Sequence, residues 1–149
     1  MARSRTIAIG DVHGCSAALD ALLAAVRPRP EDVVVTLGDY INRGPDSRGV
    51  LDRLIGLGRR CLLAPILGNH DQTLLDVRDG ARSIFWLFDI GGGATLDSYG
   101  PGRDLSLIPA EHFEFLEGCL DYYETRTHIF THANYYPDLP MSEQPTPAL

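Results

Sequence analysis

At 149 residues, with 44% hydrophobic content, 15 Gly and 10 Pro, the chain is long enough for one domain with a real core and short for two. Its formal net charge of −7 and lack of any basic block exclude the clustered Lys/Arg that non-specific nucleic-acid binding needs, and no apolar run approaches a membrane span. Cys15, Cys61 and Cys119 are odd in number, widely spaced and form no C-x-x-C, which predicts reduced thiols in a soluble cytoplasmic protein rather than a disulfide frame or structural zinc site.

Met1 to Thr6 is basic, but a strand-like run follows it and not a signal-peptide core. From there one pattern occurs three times: a short apolar run, a Gly-containing polar turn, then helical spacing. Thr6 to Ile9 runs into Gly10-Asp11-Val12-His13-Gly14, and Leu19, Leu22, Leu23 and Val26 then fall on one helical face, stopped by Pro28 and Pro30. Cys15 sits at that helix start, where a thiol's pKa can fall; the reading preferred here is a small residue filling a tight corner. Asp32 to Leu37 runs into Gly38-Asp39-Tyr40-Ile41-Asn42-Arg43-Gly44, followed by Val50, Leu51, Leu54 and Ile55, with Gly58 as a helix stop. Cys61 to Leu67 runs into Gly68-Asn69-His70-Asp71 and a short helix through Leu74, Leu75 and Val77. Strands alternating with helices of this length predict an α/β fold with a mostly parallel sheet.

The middle of the chain is more helical. Ile84 to Phe88 reads as an apolar turn or helix broken by Gly91-Gly92-Gly93, Ala94 to Tyr99 as a short helix, and Pro109 as the opening of a helix carrying Phe113 and Leu116. On that segment His112 is expected at the surface. Cys119 to Glu124 and Thr127 to Thr131 read as adjacent strands with Thr125-Arg126 as the turn, the second ending in His132-Ala133-Asn134. From residue 137 to 149 four prolines and no clear period predict an extended or disordered tail on a single domain.

In such sheets the residues just past the carboxyl ends of the strands line the ligand crevice, so Asp11, His13, Asp39, Asn69 and His70 should gather at one edge. Asp11, His13, Asp39, Asn69 and His132 are oxygen and nitrogen donors without thiolate, a set that suits Mn2+, Fe2+, Zn2+ or Co2+. Asp39 is the natural bridge between two ions, because its strand should lie between the others. Paired metals clamp the attacking and leaving oxygens of a phosphoester. Each motif alone has a plainer explanation: an Asx-turn for a Gly-Asp, a hydrogen-bonded structural role for a strand-end His, a helix cap for Asn69. Their occurrence in phase at successive strand ends is what favours chemistry.

The three turns resemble, in order, the signature blocks of the calcineurin-like metallophosphoesterases, in the form of the phosphoprotein-phosphatase branch, which also contains bacterial serine/threonine phosphatases and symmetrical diadenosine tetraphosphatases. Thr131-His132-Ala133-Asn134 resembles the fourth block, and the stretch from Trp86 through Thr95-Leu96 to Ser98-Tyr99-Gly100 is similar to bacterial members. The resemblance implies β-sheet layers flanked by helices (αββα). It implies that Asp11, His13 and Asp39 hold one metal and that Asp39, Asn69 and His132 hold part of a second, Mn2+ being the first expectation. It makes Arg43 a binder of substrate phosphate and His70 the general acid, in hydrolysis by a metal-bound hydroxide. The implied substrate is a phosphorylated protein or small phosphoester, with a dinucleoside tetraphosphate as the alternative.

Two departures bear on activity. The family has Asp where this chain has Asn42, and that Asp is understood to hydrogen-bond the catalytic histidine, here His70; Asn keeps the shape and loses the charge. The family also carries a last metal-binding His on a later strand, and no His follows His132. His128, four residues earlier on the same strand, is too far along it to share that ion. These departures give a second reading, a catalytically impaired or inactive pseudophosphatase with strands missing at its C-terminal end. A sheet edge left open by missing strands would favour a homodimer.

Overall fold

The three apolar runs form β1 (Thr6–Ile9), β2 (Val33–Thr36) and β3 (Leu62–Pro65) in the computed structural model, which describes residues 4–145. The strands pair in parallel in the order β1-β2-β3, so the strand that leads into Asp39 is the central one. The branched side chains of Val33, Val34 and Val35 are stiff about χ1 and fit a pleated, buried surface. Helices α1 (Ser16–Val26), α2 (Ser47–Gly58) and α3 (Asn69–Arg78) follow the three strands in turn. Asp46 starts α2 by accepting the Gly49 amide, and its other oxygen accepts from Ser16 of α1.

Side chains alternate across the sheet. Ile7, Val34 and Leu63 are in register on the face toward the main core, where Leu51, Leu54, Leu57 and Leu74 are sealed from solvent. Ala8, Val35 and Ala64 are in register on the opposite face. There the cover is a two-stranded antiparallel hairpin, β4 (Tyr122–Glu124) and β5 (Ile129–Thr131), whose Tyr123 and Phe130 pack on Val35, Ala64 and Ile66. Leu120 ties the hairpin to the sheet, donating its N–H to Pro65 O at 2.7 Å and accepting the Leu67 N–H at 2.9 Å. The expected α/β fold with a parallel sheet is observed, and the second sheet layer consists, among the described residues, of this hairpin.

The expected helices of the middle region are α4 (Ile84–Asp89), α5 (Gly92–Tyr99) and α6 (Ala110–Glu117). Ile90 and Gly91 separate α4 from α5: Gly91 adopts φ 89° as the cap of α5, and Gly92 and Gly93 already belong to that helix. The hairpin strands are shorter than expected, three residues each. His112 is not at the surface. It is 2% exposed, with Nδ1 2.7 Å from the Tyr99 hydroxyl and Nε2 2.9 Å from Asp52, because α6 lays that side of its first turn onto α5 and α2. Cys15 fills no tight corner; it is exposed at the N-cap of α1. In the tail Met141–Glu143 forms a 3-10 turn, and the Gln144 side chain bonds Tyr136 and Leu139. Residues 146–149 of the expected tail lie outside the described residues.

Candidate active site

The loops after β1 and β2 are laced together by backbone hydrogen bonds. Val12 and His13 donate to Asp39 O, Gly14 to Tyr40 O, Gly44 to His13 O and Asp46 to Gly14 O. This lacing holds four non-glycine residues at positive φ: His13 (42°), Asp39 (53°), Asn42 (69°) and Arg43 (67°). The left-handed region costs roughly 1–2 kcal/mol per residue, and such strain gathers where a side chain must be aimed. Of the six non-glycine residues at positive φ among the described residues, these four are the ones at the strand ends. Close approach sets the glycines beside them. A Cβ on Gly44 would overlap His13 O, and one on Gly68 would overlap the Asp39 amide.

Beneath the loops lies Asp71, fully buried. Its carboxyl accepts the Tyr40 and Gly68 amides, each at 3.1 Å, and so pins the β2 loop against the start of α3. Burial, with the charge of Asp39 nearby, pushes its pKa up to about 8. Asp39 itself is 4% exposed, and the His70 amide donates to its Oδ1 at 3.1 Å.

The two oxygens of Asp39 face different histidines. Oδ2 is 3.4 Å from His13 Nε2, and Oδ1 is 3.5 Å from His132 Nε2. His13 presents Nδ1 to Ile41 O at 2.9 Å, and His132 presents Nδ1 to Leu37 O at 2.6 Å. A carbonyl oxygen only accepts, so in each ring Nδ1 carries the proton and Nε2 keeps its lone pair aimed into the site. Metal-binding histidines use this arrangement, with the far ring nitrogen oriented by a carbonyl. His13 Nε2 is the one buried side-chain nitrogen or oxygen without a partner among the described residues. His132 Nε2 lies 3.0 Å from Asn69 Oδ1, two acceptors side by side that a shared cation would satisfy. Asp11 Oδ2 completes the first group, 3.9 Å from His13 Nε2 and open to solvent. The donor set therefore fits divalent cations on both sides of Asp39.

His13, Asp39 and His70 also bring ligand-type atoms within 4.8 Å of one another. His70 is a poor third ligand all the same. Its Nδ1 faces Asn42 Nδ2 at 3.0 Å and its Nε2 faces Arg43 Nη2 at 3.3 Å, and a guanidinium repels a dication. Burial lowers the His70 pKa; Asp39 pulls it up, while His13, Arg43 and His132 push it down. The structure thus brings Asp11, His13, Asp39, Asn42, Arg43, Asn69, His70 and His132 to one sheet edge. Asn69 opens α3 without capping it, since Gly68 holds the cap position, and His128 lies apart, exposed and stacked on Phe130. The sequence reading missed Asp71, Ser47 and Thr95, the last two fully buried against Asn42. Asp71 follows His70 directly in the third block, the only signal that marked it.

Residues 4–143 match the family described as Calcineurin-like phosphoesterase. A protein named Serine/threonine-protein phosphatase 1, from Salmonella typhimurium, is 40% identical over 84 residues, which is 56% of this chain and 37% of that one. A symmetrical bis(5'-nucleosyl)-tetraphosphatase from Acidovorax sp. is 47% identical over 75 residues, 50% of this chain and 26% of that one. A solved structure of a protein provisionally named a diadenosine tetraphosphatase is 30% identical with a TM-score of 0.71, covering 93% of this chain and 54% of the other. The chain thus spans between about a quarter and about half of the length of these relatives. Among the described residues no helix is long and apolar enough to cross a membrane.

Proposed function

The chain belongs to the calcineurin-like phosphoesterase family, and from that premise we propose that it is a metal-dependent phosphoesterase acting on phosphomonoesters, phosphoserine and phosphothreonine in proteins among them. The observation that carries the proposal is the Asp39 carboxylate turned with one oxygen toward His13 and the other toward His132. Asp11, His13 and Asp39 would hold one divalent ion, and Asp39, Asn69 and His132 would hold a second, Mn2+ before Fe2+, Zn2+ or Co2+. Such ions acidify bound water and neutralise charge on phosphoryl oxygens. Arg43 offers a fork of N–H donors to the phosphoryl group. His70 stands beside it, its Nε2 3.3 Å from Arg43 Nη2, so the two side chains aim at one place. Asp71 keeps the β2 loop and the start of α3 in a fixed relation, which sets the distance between His70 and Asp39.

Turnover of p-nitrophenyl phosphate with Mn2+ tests this reading. The full chain should exceed an Asp39→Ala control by at least about 10²-fold, and equal rates would sink it. A second reading, a dinucleoside tetraphosphate substrate, is favoured by the relatives of that name. Comparing a phosphopeptide with diadenosine tetraphosphate decides between the two. The impaired reading rests on Asn42 and on the want of a further His ligand after His132, and calorimetry that finds at most one tightly bound ion per chain would support it.

A further inference from the structure

Helices α1 and α2 each return along the parallel sheet from the end that carries Asp39, so their C-terminal halves lie at the opposite end of the molecule. Between those halves lies a groove of about 800 Å3. Leu23 and Ala24 of α1 line it, with Gly56 and Leu57 of α2 and with Pro28 and Pro30 of the turn that follows α1. Small residues leave it open: a Cβ built on Gly56 meets nothing within 4 Å. Asp20 and Arg53 also line the groove and bridge the two helices, Arg53 Nε donating to Asp20 Oδ1 at 2.6 Å and Nη2 to Oδ2 at 2.7 Å. That two-pronged pair satisfies both charges.

Two further lining residues have charge to spare. Arg27 and Arg60 are exposed and make no ion pair among the described residues. At this end of the molecule Asp20 is taken by Arg53 and Asp32 by Arg5, and exposed Glu31 lies outside the groove lining. The last carbonyls of α1, which would repel an anion, are covered as well. Arg5 donates to Val26 O and Arg27 O, and the Arg27 amide to Leu23 O. Arg27 is held at φ 49°, a left-handed conformation that glycine takes without strain. Four of the six non-glycine residues at positive φ among the described residues belong to the candidate active site, and Arg27 carries the same strain in the lining of this groove.

We propose that this groove is a docking site for an acidic peptide segment of a partner protein, one that carries an aliphatic or aromatic side chain between carboxylates. The apolar side chain seats over Gly56 between α1 and α2, and the carboxylates take the guanidinium forks of Arg27 and Arg60. The volume far exceeds what a lone inorganic anion fills and lies within the roughly 300–1,000 Å3 that ligand sites span. A membrane surface is a poorer fit, because the apolar residues here line a recess and do not protrude. Nucleic acid is a poorer fit for a chain of net charge −7. Since the groove lies at the opposite end of α1 and α2 from the metal-type donors, a docked segment leaves the candidate active site open and holds its owner beside it.

Amide NMR of the nitrogen-labelled full chain, titrated with the capped peptide Glu-Glu-Leu-Phe-Glu-Glu, tests this. The shifts should saturate below about 1 mM peptide and fall on the C-terminal halves of α1 and α2 and the turns that follow them. Arg27→Gly should weaken the peptide by about 3-fold while the melting temperature stays level or rises, since glycine relieves the left-handed backbone. An arginine kept for structure alone would instead lower the melting temperature when replaced. The double variant Arg27→Gly/Arg60→Glu should weaken binding by at least about 10-fold. Gly56→Trp replaces a helix-interior glycine and fills the groove, so it should keep the fold and lose the shifts. Should Gly56→Trp not fold, the arginine variants still decide. No saturation below about 1 mM, shifts centred elsewhere, or wild-type affinity in the double variant overturns the proposal. Equal shifts from inorganic phosphate would reduce the groove to a simple anion site, and equal binding of the peptide with every Glu replaced by Gln would remove the acidic requirement; either result overturns it. So would phosphatidylserine vesicles that the chain binds more tightly than the peptide and that the same variants release.

Discussion

On one face of the parallel sheet Val34, Leu51, Leu54 and Leu57 are closed off from solvent; on the other, Leu62 is 63% exposed and cover is confined to Val35, Ala64 and Ile66 beneath Tyr123 and Phe130. The two faces deliver different parts of the site. The helical face backs the loops that carry His13, Asp39, Arg43 and His70, which are also laced to one another through backbone bonds. His132 comes instead from the end of β5, in a hairpin of three-residue strands that would be marginal alone and is held by two aromatic side chains and the Leu120 bonds. One half of the candidate centre is therefore built on a closed core and the other on a docked ribbon.

Stability should show the contrast most strongly. Leu54→Ala opens a cavity under α2 and should cost about 2–5 kcal/mol in urea unfolding, lowering the whole cooperative transition. Phe130→Ala, on the half-covered face, should cost roughly 1–2 kcal/mol and loosen the hairpin first, seen as faster amide exchange at β4 and β5. Equal costs for the two would contradict the distinction. Metal binding should divide the same way. His13→Ala should weaken the tighter of two calorimetric Zn2+ equivalents by about 10²-fold or more, and His132→Ala should abolish the weaker while leaving one ion bound per chain. If His132→Ala removed both, the docked ribbon would be as integral as the core.

The far end of the sheet gives a pH test. Asp32, buried just before β2, accepts bonds from the Arg5 guanidinium and backbone amide and from the Arg29 amide, and its hydrogen bonds with the Arg5 side chain hold its carboxyl well below the usual carboxylate range. A depressed folded pKa contributes stability that is present above the unfolded value, about 3.9, and lost as pH falls toward the folded one. Asp32→Asn should therefore destabilise the protein at neutral pH, with the difference from wild type narrowing steadily below about pH 4. A constant difference across that range would mean that shape alone matters there. The smallest effect is expected at Leu62→Thr, where an exposed side chain on the open face should change stability by no more than about 0.5 kcal/mol.

Much of the site was legible because it sits where periodicity is plainest. Asp11, His13, Asp39 and Asn69 each end or follow an apolar run, and the strand-then-helix order makes those runs parallel neighbours. His132 was legible for the same reason, though the hairpin that carries it is shorter than the sequence pattern suggested. His112 misled, because one histidine on a short helix shows no periodicity that separates a buried Tyr99–Asp52 partner from a solvated side chain. Asp71 was visible in the third block, yet its function of pinning Tyr40 and Gly68 depends on a loop 31 residues earlier.

By itself the sequence determined the parallel α/β order, the central position of the strand before Asp39, and the gathering of donors at one sheet edge, since all three follow from local periodicity and chain connectivity. The tertiary structure alone decided the rest: which oxygen of Asp39 faces which histidine, and that Ser47 and Thr95 close over Asn42. Those depend on how α5 and the β5 hairpin pack against loops distant in the chain, which buries Ser47, Thr95 and Asn42 together.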